Sequence, residues 1–345
     1  MASPITSSEF EEKDLSVGVV VPTFNRANLI RETLDSILSQ SFRPQKIVVI
    51  DDGSTDHTEA VLGEYGDDII VKKIVNSGDM AARNVGVSLL DTRLVAFCDS
   101  DDVWNRDFLS SMISLWKTAP DIQVAYGDFV VINGGVWGKK SKMESAPDGF
   151  WKGFQSVGPD SGVFSSGIIE RLLSFQPFFP SCMVVDRVFF HRGLGGWDEG
   201  VSRILGCDFA TALLVAEYAK IGVIRRPLVG IRKHDKNISA DVQKMNLGDA
   251  KVLEYVLNTR PSLASFAPAF RRSIIKRRQE ALHTAFARND LKSVREIYNL
   301  LPDYARGGSI ALKRSISNLA PPIGKTLASL LSGAGTIKSN IVGKN

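Results

Sequence analysis

Leu94-Val-Ala-Phe-Cys98, followed at once by Asp99-Ser100-Asp101-Asp102, is the stretch on which the reading of the fold turns. A short unbroken apolar run of this kind fits a strand covered on both faces. The acidic residues then stand at its carboxyl end. Like charges crowded on one loop repel, and a bound divalent cation relieves that repulsion most simply. Hard oxygen ligands on a short loop suit Mg²⁺ or Mn²⁺, which share such sites with substrate phosphates. The same residues also suit a solvated acidic turn in which Asp102 or Asn105 caps the next helix. One Asp-x-Asp does not decide between the two.

Working outward, the flanking segments alternate in period. Leu15–Val21 is a β-branched run ending at Pro22, and residues 27–40 show helical spacing through Leu29, Ile30, Leu34, Ile37 and Leu38. Lys46–Ile50 is β-branched again and ends in Asp51-Asp52-Gly53. A helix to about Tyr65, a strand over 68–75, a helix over 80–90 and the strand over 93–98 follow. A helix over 105–118 and a strand near 123–127 complete the alternation. Repeated strand–helix units predict a parallel sheet wound right-handedly with helices on both faces. Ligands in such sheets bind beyond the carboxyl ends of the strands. Pro22-Thr-Phe-Asn25, Asp51-Asp-Gly-Ser54 and Asp99-Ser-Asp101 all fall at those ends.

Residues 128–180 are rich in Gly, Ser, Trp and Phe without a clean period, which predicts long loops and short strands that shape a pocket. A helix over 206–220 and a strand over 222–231 come next, and after about Val242 the pattern is wholly helical. At 345 residues, with 44% hydrophobic and 23% charged, the chain is an ordinary globular protein. From Ala250 to Asn345 there are 16 lysines and arginines against 5 acids, while the whole chain carries only +4. A basic tail on an acidic body suits an anionic surface or ordinary solvated helices equally. Aromatic residues are sparse in the tail and no known motif appears, so nucleic acid is not expected as a partner. Cys98 and Cys182 lie in apolar runs and Cys207 stands apart, a pattern of reduced thiols with no zinc motif. Residues 1–14 lack the layout of a signal peptide, and no apolar stretch approaches the roughly 18 residues of a membrane span. A cytoplasmic protein is expected, with peripheral attachment to the inner face of the membrane through the basic tail as a further expectation.

Taken together the motifs resemble family 2 glycosyltransferases. The matching text is Val19-Val-Val-Pro-Thr-Phe-Asn-Arg26, Ile50-Asp-Asp-Gly-Ser-Thr-Asp56, Asn76-Ser-Gly78, Ala82-Arg-Asn-Val-Gly86 and Phe97-Cys-Asp-Ser-Asp-Asp102. It continues more loosely through Gly196-Trp-Asp-Glu199, Cys207-Asp208 and Ile231 to Ser239, and leaves the tail uncovered. The resemblance implies that Pro22, Thr23, Phe24 and Asn25 flank a nucleobase, which Asp52 rather than Asp51 reads. Gly78 and Arg83 open a helix toward the same cleft, with Arg83 either neutralising phosphate or holding an aspartate of the acidic loop. By the same resemblance Asp99 and Ser100 contact the donor, Asp101 ligates the metal, and His234 touches the metal or diphosphate unless it is a plain surface residue. Asp208 matches the general base of the family's Glu-Asp pair, with Cys207 in place of the Glu. The alternative for Asp208 is a helix N-terminal charge. Trp197 and Asp198 border the acceptor, or Trp197 is simply packed.

The expected fold is a GT-A type doubly wound, mostly parallel sheet with helices on both faces and a C-terminal helical extension. The expected domains are a flexible tail at 1–14, a glycosyltransferase domain at 15–242 and a basic helical region at 243–345. The first of its halves, 15–127, takes the nucleotide-sugar and the second, 128–242, the acceptor. The expected activity is metal-dependent, inverting transfer from a UDP-sugar, with Mn²⁺ or Mg²⁺, to a carbohydrate or lipid-linked acceptor of cell-surface polysaccharide synthesis. The alternative is a nucleotide-sugar-binding scaffold without turnover.

Overall fold

A computed structural model describes residues 15–233 and 241–342, with side chains to 332. Contacts divide them into a sheet unit (15–203 with 208–233) and a helical unit (204–207 with 241–342).

The sheet unit runs β1 (Val17–Thr23), α1 (Ile30–Leu38), β2 (Lys46–Asp51), α2 (Thr58–Gly63), β3 (Ile70–Lys73), α3 (Asp79–Ser88), β4 (Leu94–Phe97), β5 (Val103–Trp104) and α4 (Phe108–Thr118). It continues with β6 (Val124–Asn133), β7 (Val136–Trp137), β8 (Gln155–Ser156), β9 (Ser161–Phe164), α5 (Ile169–Ser174), β10 (Met183–Asp186), α6 (Asp208–Tyr218) and β11 (Ile221–Lys233). The strands form one mixed sheet in the order β3-β2-β1-β4-β10-β6-β11-β9-β8. β3, β2, β1 and β4 are mutually parallel, as is the long pairing of β6 with β11. Every residue of β1 is buried, as a run of Val flanked on both faces requires. Gly86 of α3 meets β1 closely: a Cβ there would lie 2.3 Å from Val20 Cγ1, so only glycine lets the helix settle. Of the strand ends, β3 is exposed throughout and forms the sheet edge.

Two features depart from the expected alternation. β10 inserts antiparallel between β4 and β6, with Val184 facing Ala96 on one side and Ala125 on the other. Because β10 runs opposite to β4, the residues just before it lie at the carboxyl end of β4, beside the acidic loop. The segment 128–180 also holds more order than its lack of period suggests. β6 extends to Asn133, and Phe150, Trp151, Phe154, Phe164 and Phe175 pack ring against ring at 5.1–5.9 Å. Its Trp and Phe residues form a small core of their own, which needs no repeating period.

The helical unit comprises α7 (Val242–Thr259), α8 (Ala267–Ala287), α9 (Leu291–Asn299), α10 (Ser309–Ser317) and α11 (Pro321–Val342). Leu282, Phe286, Val294, Ile297, Ile310 and Ala328 form its apolar core. Asp241 caps α7 by accepting from the N–H of Gln243 and Lys244, and Asp290 caps α9 through Ser293. On α11, Ile323, Leu327, Leu330 and Leu331 are exposed along one helix face. No helix among the described residues is long and apolar enough to cross a membrane.

Candidate active site

Three loops at the carboxyl ends of β1, β2 and β4 build the site, and they are tied to one another through side chains. Asn25 adopts a left-handed backbone at φ 53°, a conformation Asn tolerates better than most residues. Its Oδ1 accepts from the N–H of Thr55 at 2.8 Å and of Asp56 at 3.2 Å, and its own N–H donates to Ser54 Oγ at 2.9 Å. Asp51 accepts from Ser54 N–H at 2.8 Å and so closes its own turn. Asp52 accepts from the N–H of Ser77 at 2.7 Å and of Gly78 at 2.9 Å, which secures the loop before α3. Gly78, at φ 91°, is the residue from which that helix starts. Pro22 and Thr23 are buried within β1, whereas Phe24 is 43% exposed.

The acidic loop is held from several sides. Arg83, 3% exposed, donates to Asp99 Oδ1 at 2.6 Å and to Asp79 Oδ2 at 2.9 Å. Arg26 donates to Asp101 Oδ2 at 3.3 Å. Ser100 is buried in the turn. Asp102 is buried too, accepting from Ser181 Oγ at 2.5 Å and from Arg232 N–H at 3.1 Å. Burial first, then the neighbouring Asp101 and Asp99, push its carboxyl well above the usual range. Ser181 also accepts from Asp99 N–H at 3.0 Å, so one hydroxyl spans both ends of the loop.

Trp197 is 2% exposed rather than open to stacking by a ligand. Arg83 lies 4.8 Å from its ring centroid, and Phe97 and Phe190 meet its ring at 4.9 and 5.7 Å. Asn84 fixes its backbone, donating to Trp197 O and accepting from Trp197 N–H, both at 2.9 Å. Asp198 accepts from Gly200 N–H and caps the short turn after it. Trp197 and Asp208, the first residue of α6, line one narrow cleft together with Tyr126, Met183, Thr211 and Ala212. The Asp208 charge reinforces burial in raising the Tyr126 hydroxyl's pKa. A continuous set of contacts therefore runs from Asp99 through Arg83 and Trp197 to the cleft that holds Asp208. His234 lies outside the described residues.

Arg26, Asn84 and Ser181 take part although the motifs assigned them no role. Arg26 and Asn84 stand inside matching motifs, so their neighbours gave a signal. Ser181 lies in an apolar stretch and only the antiparallel β10 brings it here.

The fold is that of GT-A glycosyltransferases. Staphylococcus aureus TarS 1–349, solved in complex with UDP-GlcNAc, superposes with a TM-score of 0.57 at 16% identity, over 94% of this chain and 92% of that one. Residues 18–169 match the model of Glycosyl transferase family 2. An uncharacterized glycosyltransferase of Rickettsia felis is 28% identical over 74% of the chain and 39% of its own length. The Escherichia coli UDP-Glc:alpha-D-GlcNAc-diphosphoundecaprenol beta-1,3-glucosyltransferase WfgD is 32% identical over 35% of the chain and 48% of its own length. The chain thus spans less than half the length of either curated relative.

Proposed function

We propose that the chain is an inverting glycosyltransferase that moves a sugar from a nucleoside-diphosphate donor to a carbohydrate or lipid-linked acceptor in cell-surface polysaccharide synthesis. A UDP-sugar is the expected donor. The observation that carries this is the run of contacts joining the acidic donor loop to Asp208, residues more than a hundred positions apart. Supporting the donor and acceptor classes, the S. aureus neighbour was solved with UDP-GlcNAc and WfgD is named for a diphosphoundecaprenol-linked acceptor.

In this reaction Asp208 takes the proton of the acceptor hydroxyl as its oxygen attacks the anomeric carbon. The bond from that carbon to the diphosphate breaks on the opposite face, and the nucleoside diphosphate leaves with the electron pair. Phe24 stacks on the base, Asn25 and Asp52 keep its loops in place, and Asp99 binds the ribose. Among the described residues no group of three or more His, Cys, Asp or Glu can hold a metal alone. The hard oxygens of Asp101 fit a cation that completes its shell with phosphate and water, as Mg²⁺ and Mn²⁺ do. Such a cation supplies positive charge against the departing diphosphate.

The basic helical region is proposed to attach the protein to an anionic membrane surface, where lipid-linked acceptors reside. Its support is the exposed stripe of Ile323, Leu327, Leu330 and Leu331 within a segment rich in lysine and arginine.

Incubation with UDP-glucose or UDP-GlcNAc, Mn²⁺ and GlcNAc-diphosphoundecaprenol tests the activity by UDP release. Release that EDTA abolishes and Asp101→Ala suppresses is expected. Absence of both nucleotide-sugar binding by calorimetry and UDP release would sink the assignment.

A further inference from the structure

The hairpin Asn133-Gly-Gly-Val-Trp-Gly-Lys-Lys140 is a surface that the proposed reaction does not use. Past Pro227 the sheet continues as a narrower ribbon in the order β7-β6-β11-β5. Trp137 of β7 pairs with Ile132, Ile132 pairs with Arg232, and the Arg232 N–H donates to Asp102 Oδ1 at 3.1 Å. β7 therefore lies two strand spacings, about 10 Å, from the strand that holds the acidic loop. The hairpin is preformed. Asn133 faces Val136 across a two-residue turn, and Gly134 (φ 55°) and Gly135 (φ 80°) supply the positive φ that such a turn demands. The Gly138 N–H closes it on Val131 O at 2.9 Å. At this tip Val136 is 71% exposed and Trp137 38%. Trp137 rests against β11 where Gly230 offers no side chain, its Cζ2 3.1 Å from where a Cβ would stand.

The charge around this tip has one sign. From Phe129 to Met143 there are three lysines and no acid, and Lys139 and Lys140 are exposed. Ile70 and Val71 on the edge strand β3 are exposed too, but Asp67 and Asp68 precede them and Glu59 pairs with Lys73, acids that an anionic surface repels. Tryptophan favours the boundary between headgroups and acyl chains, where its apolar ring and its N–H both find partners. Lysines at that level meet anionic headgroups. A rigid tip that carries both needs no ordering on contact. We infer that this hairpin docks on an anionic lipid surface, with Val136 and Trp137 entering the headgroup boundary. The acidic loop then lies beside the bilayer, within reach of an acceptor that ends in lipid. The surface belongs to the sheet unit and is separate from α11. The inference holds whether or not that unit turns over a nucleotide-sugar.

The chain carries its own reporter. Of its five tryptophans, Trp104, Trp116 and Trp197 are buried, and Trp151 is enclosed by Phe150, Phe154, Phe164 and Arg225. Trp137 is the exposed one, and the sequence from 243 onward, α11 included, has none. The full chain is mixed with vesicles of phosphatidylcholine and phosphatidylglycerol whose acyl chains are brominated, which quenches an indole that reaches them. Fluorescence of the wild type is expected to fall with added vesicles, less so with phosphatidylcholine alone. Trp137→Phe should abolish the quenching, and Lys139→Gln with Lys140→Gln should raise the lipid concentration needed for it about 10- to 30-fold. A wild type that floats with the vesicles yet stays unquenched overturns the inference and leaves attachment to α11. Quenching that survives Trp137→Phe overturns it as well, as does a wild type that does not float. If the double lysine variant partitions like the wild type but loses kcat/KM for GlcNAc-diphosphoundecaprenol, the hairpin reads the acceptor instead of the membrane. UDP release from a water-soluble acceptor, measured beside these, should be the same in all the proteins. Its absence in the wild type would count against the glycosyltransferase assignment and not against the hairpin.

Discussion

Polar side chains in the sheet unit reach far along the chain: Asn25 to residues 55 and 56, Asp52 to 77 and 78, Ser181 to 99 and 102. In the helical unit the far-reaching contacts are ion pairs from one helix to the next, Arg277 with Asp249, Arg278 with Glu254 and Arg288 with Asp241, while Asp241 and Asp290 also cap N–H groups two or three positions ahead and the core between helices is apolar. Local caps form with the helix itself, whereas ties between distant loops form only once the sheet has brought the strand ends together. Such ties hold loops in fixed positions before a ligand arrives, which is what placing a donor against a base requires. The same contrast appears in charge. Carboxylates crowd the strand ends of the sheet unit, and cations spread over the helices.

The contrast breaks first at Asp208. If the sheet unit alone carries the chemistry, Asp208→Asn should lower UDP release by about 10²–10⁴. Its unfolding free energy should move by less than about 1 kcal/mol, the scale of one helix-end charge. Full activity in Asp208→Asn would remove the base. The next effect belongs to the helical unit. Leu330→Glu with Leu331→Glu should reduce flotation with anionic vesicles by more than about tenfold, since each buried leucine contributes roughly 1.5–3 kcal/mol. UDP release from a water-soluble acceptor should not change. Equal flotation of the double variant and the wild type would dissociate α11 from any membrane surface.

Ser181→Ala probes the long-range ties themselves. It strips one donor from the buried Asp102 and the acceptor from Asp99 N–H. A loss of about 1–3 kcal/mol in denaturant unfolding is expected, with weaker UDP binding because the acidic loop loses its anchor. An unchanged midpoint would mean that Arg83 and Arg232 hold the loop without it.

What could be read from the sequence followed the same division. The strand-end motifs were legible because each joins a β-branched run to a turn residue and a carboxylate within a few positions. Asn25 and Gly78 stand in left-handed or positive-φ geometry at those turns, as their residue types suggest. The partners of those motifs were less legible wherever topology rather than spacing brings them in. Ser181 arrives on a short antiparallel strand whose insertion between β4 and β6 leaves no periodic trace. The indole of Trp197 is enclosed because Phe97 and Phe190, nearly a hundred positions apart, converge on it. The start of the helical tail was legible from its period, since α7 begins at Val242, about where the pattern turns wholly helical.

The smallest expected effect tests the local side of the contrast. Asp290 accepts from Ser293 N–H at 3.1 Å at the start of α9. The hydrogen bonds from Ser293 hold its carboxyl below the usual carboxylate range, against a weaker opposing effect of burial. A carboxyl whose pKa is lowered by folding stabilises the fold above its unfolded value of about 3.9. That stabilisation is lost as pH falls through the lowered folded value. Asp290→Ala should therefore cost about 1 kcal/mol near neutral pH, within the range for a lost N-cap, and progressively less below pH 4. Asp290→Asn should recover most of the neutral-pH stability without that acid-dependent loss, because an amide oxygen still accepts from Ser293. UDP release should be the same in all three proteins, measured beside chemical unfolding at pH 7 and pH 3. A drop in UDP release as large as that of Ser181→Ala would show that a cap in the helical unit also governs the site, and the division between local caps and long-range ties would fail.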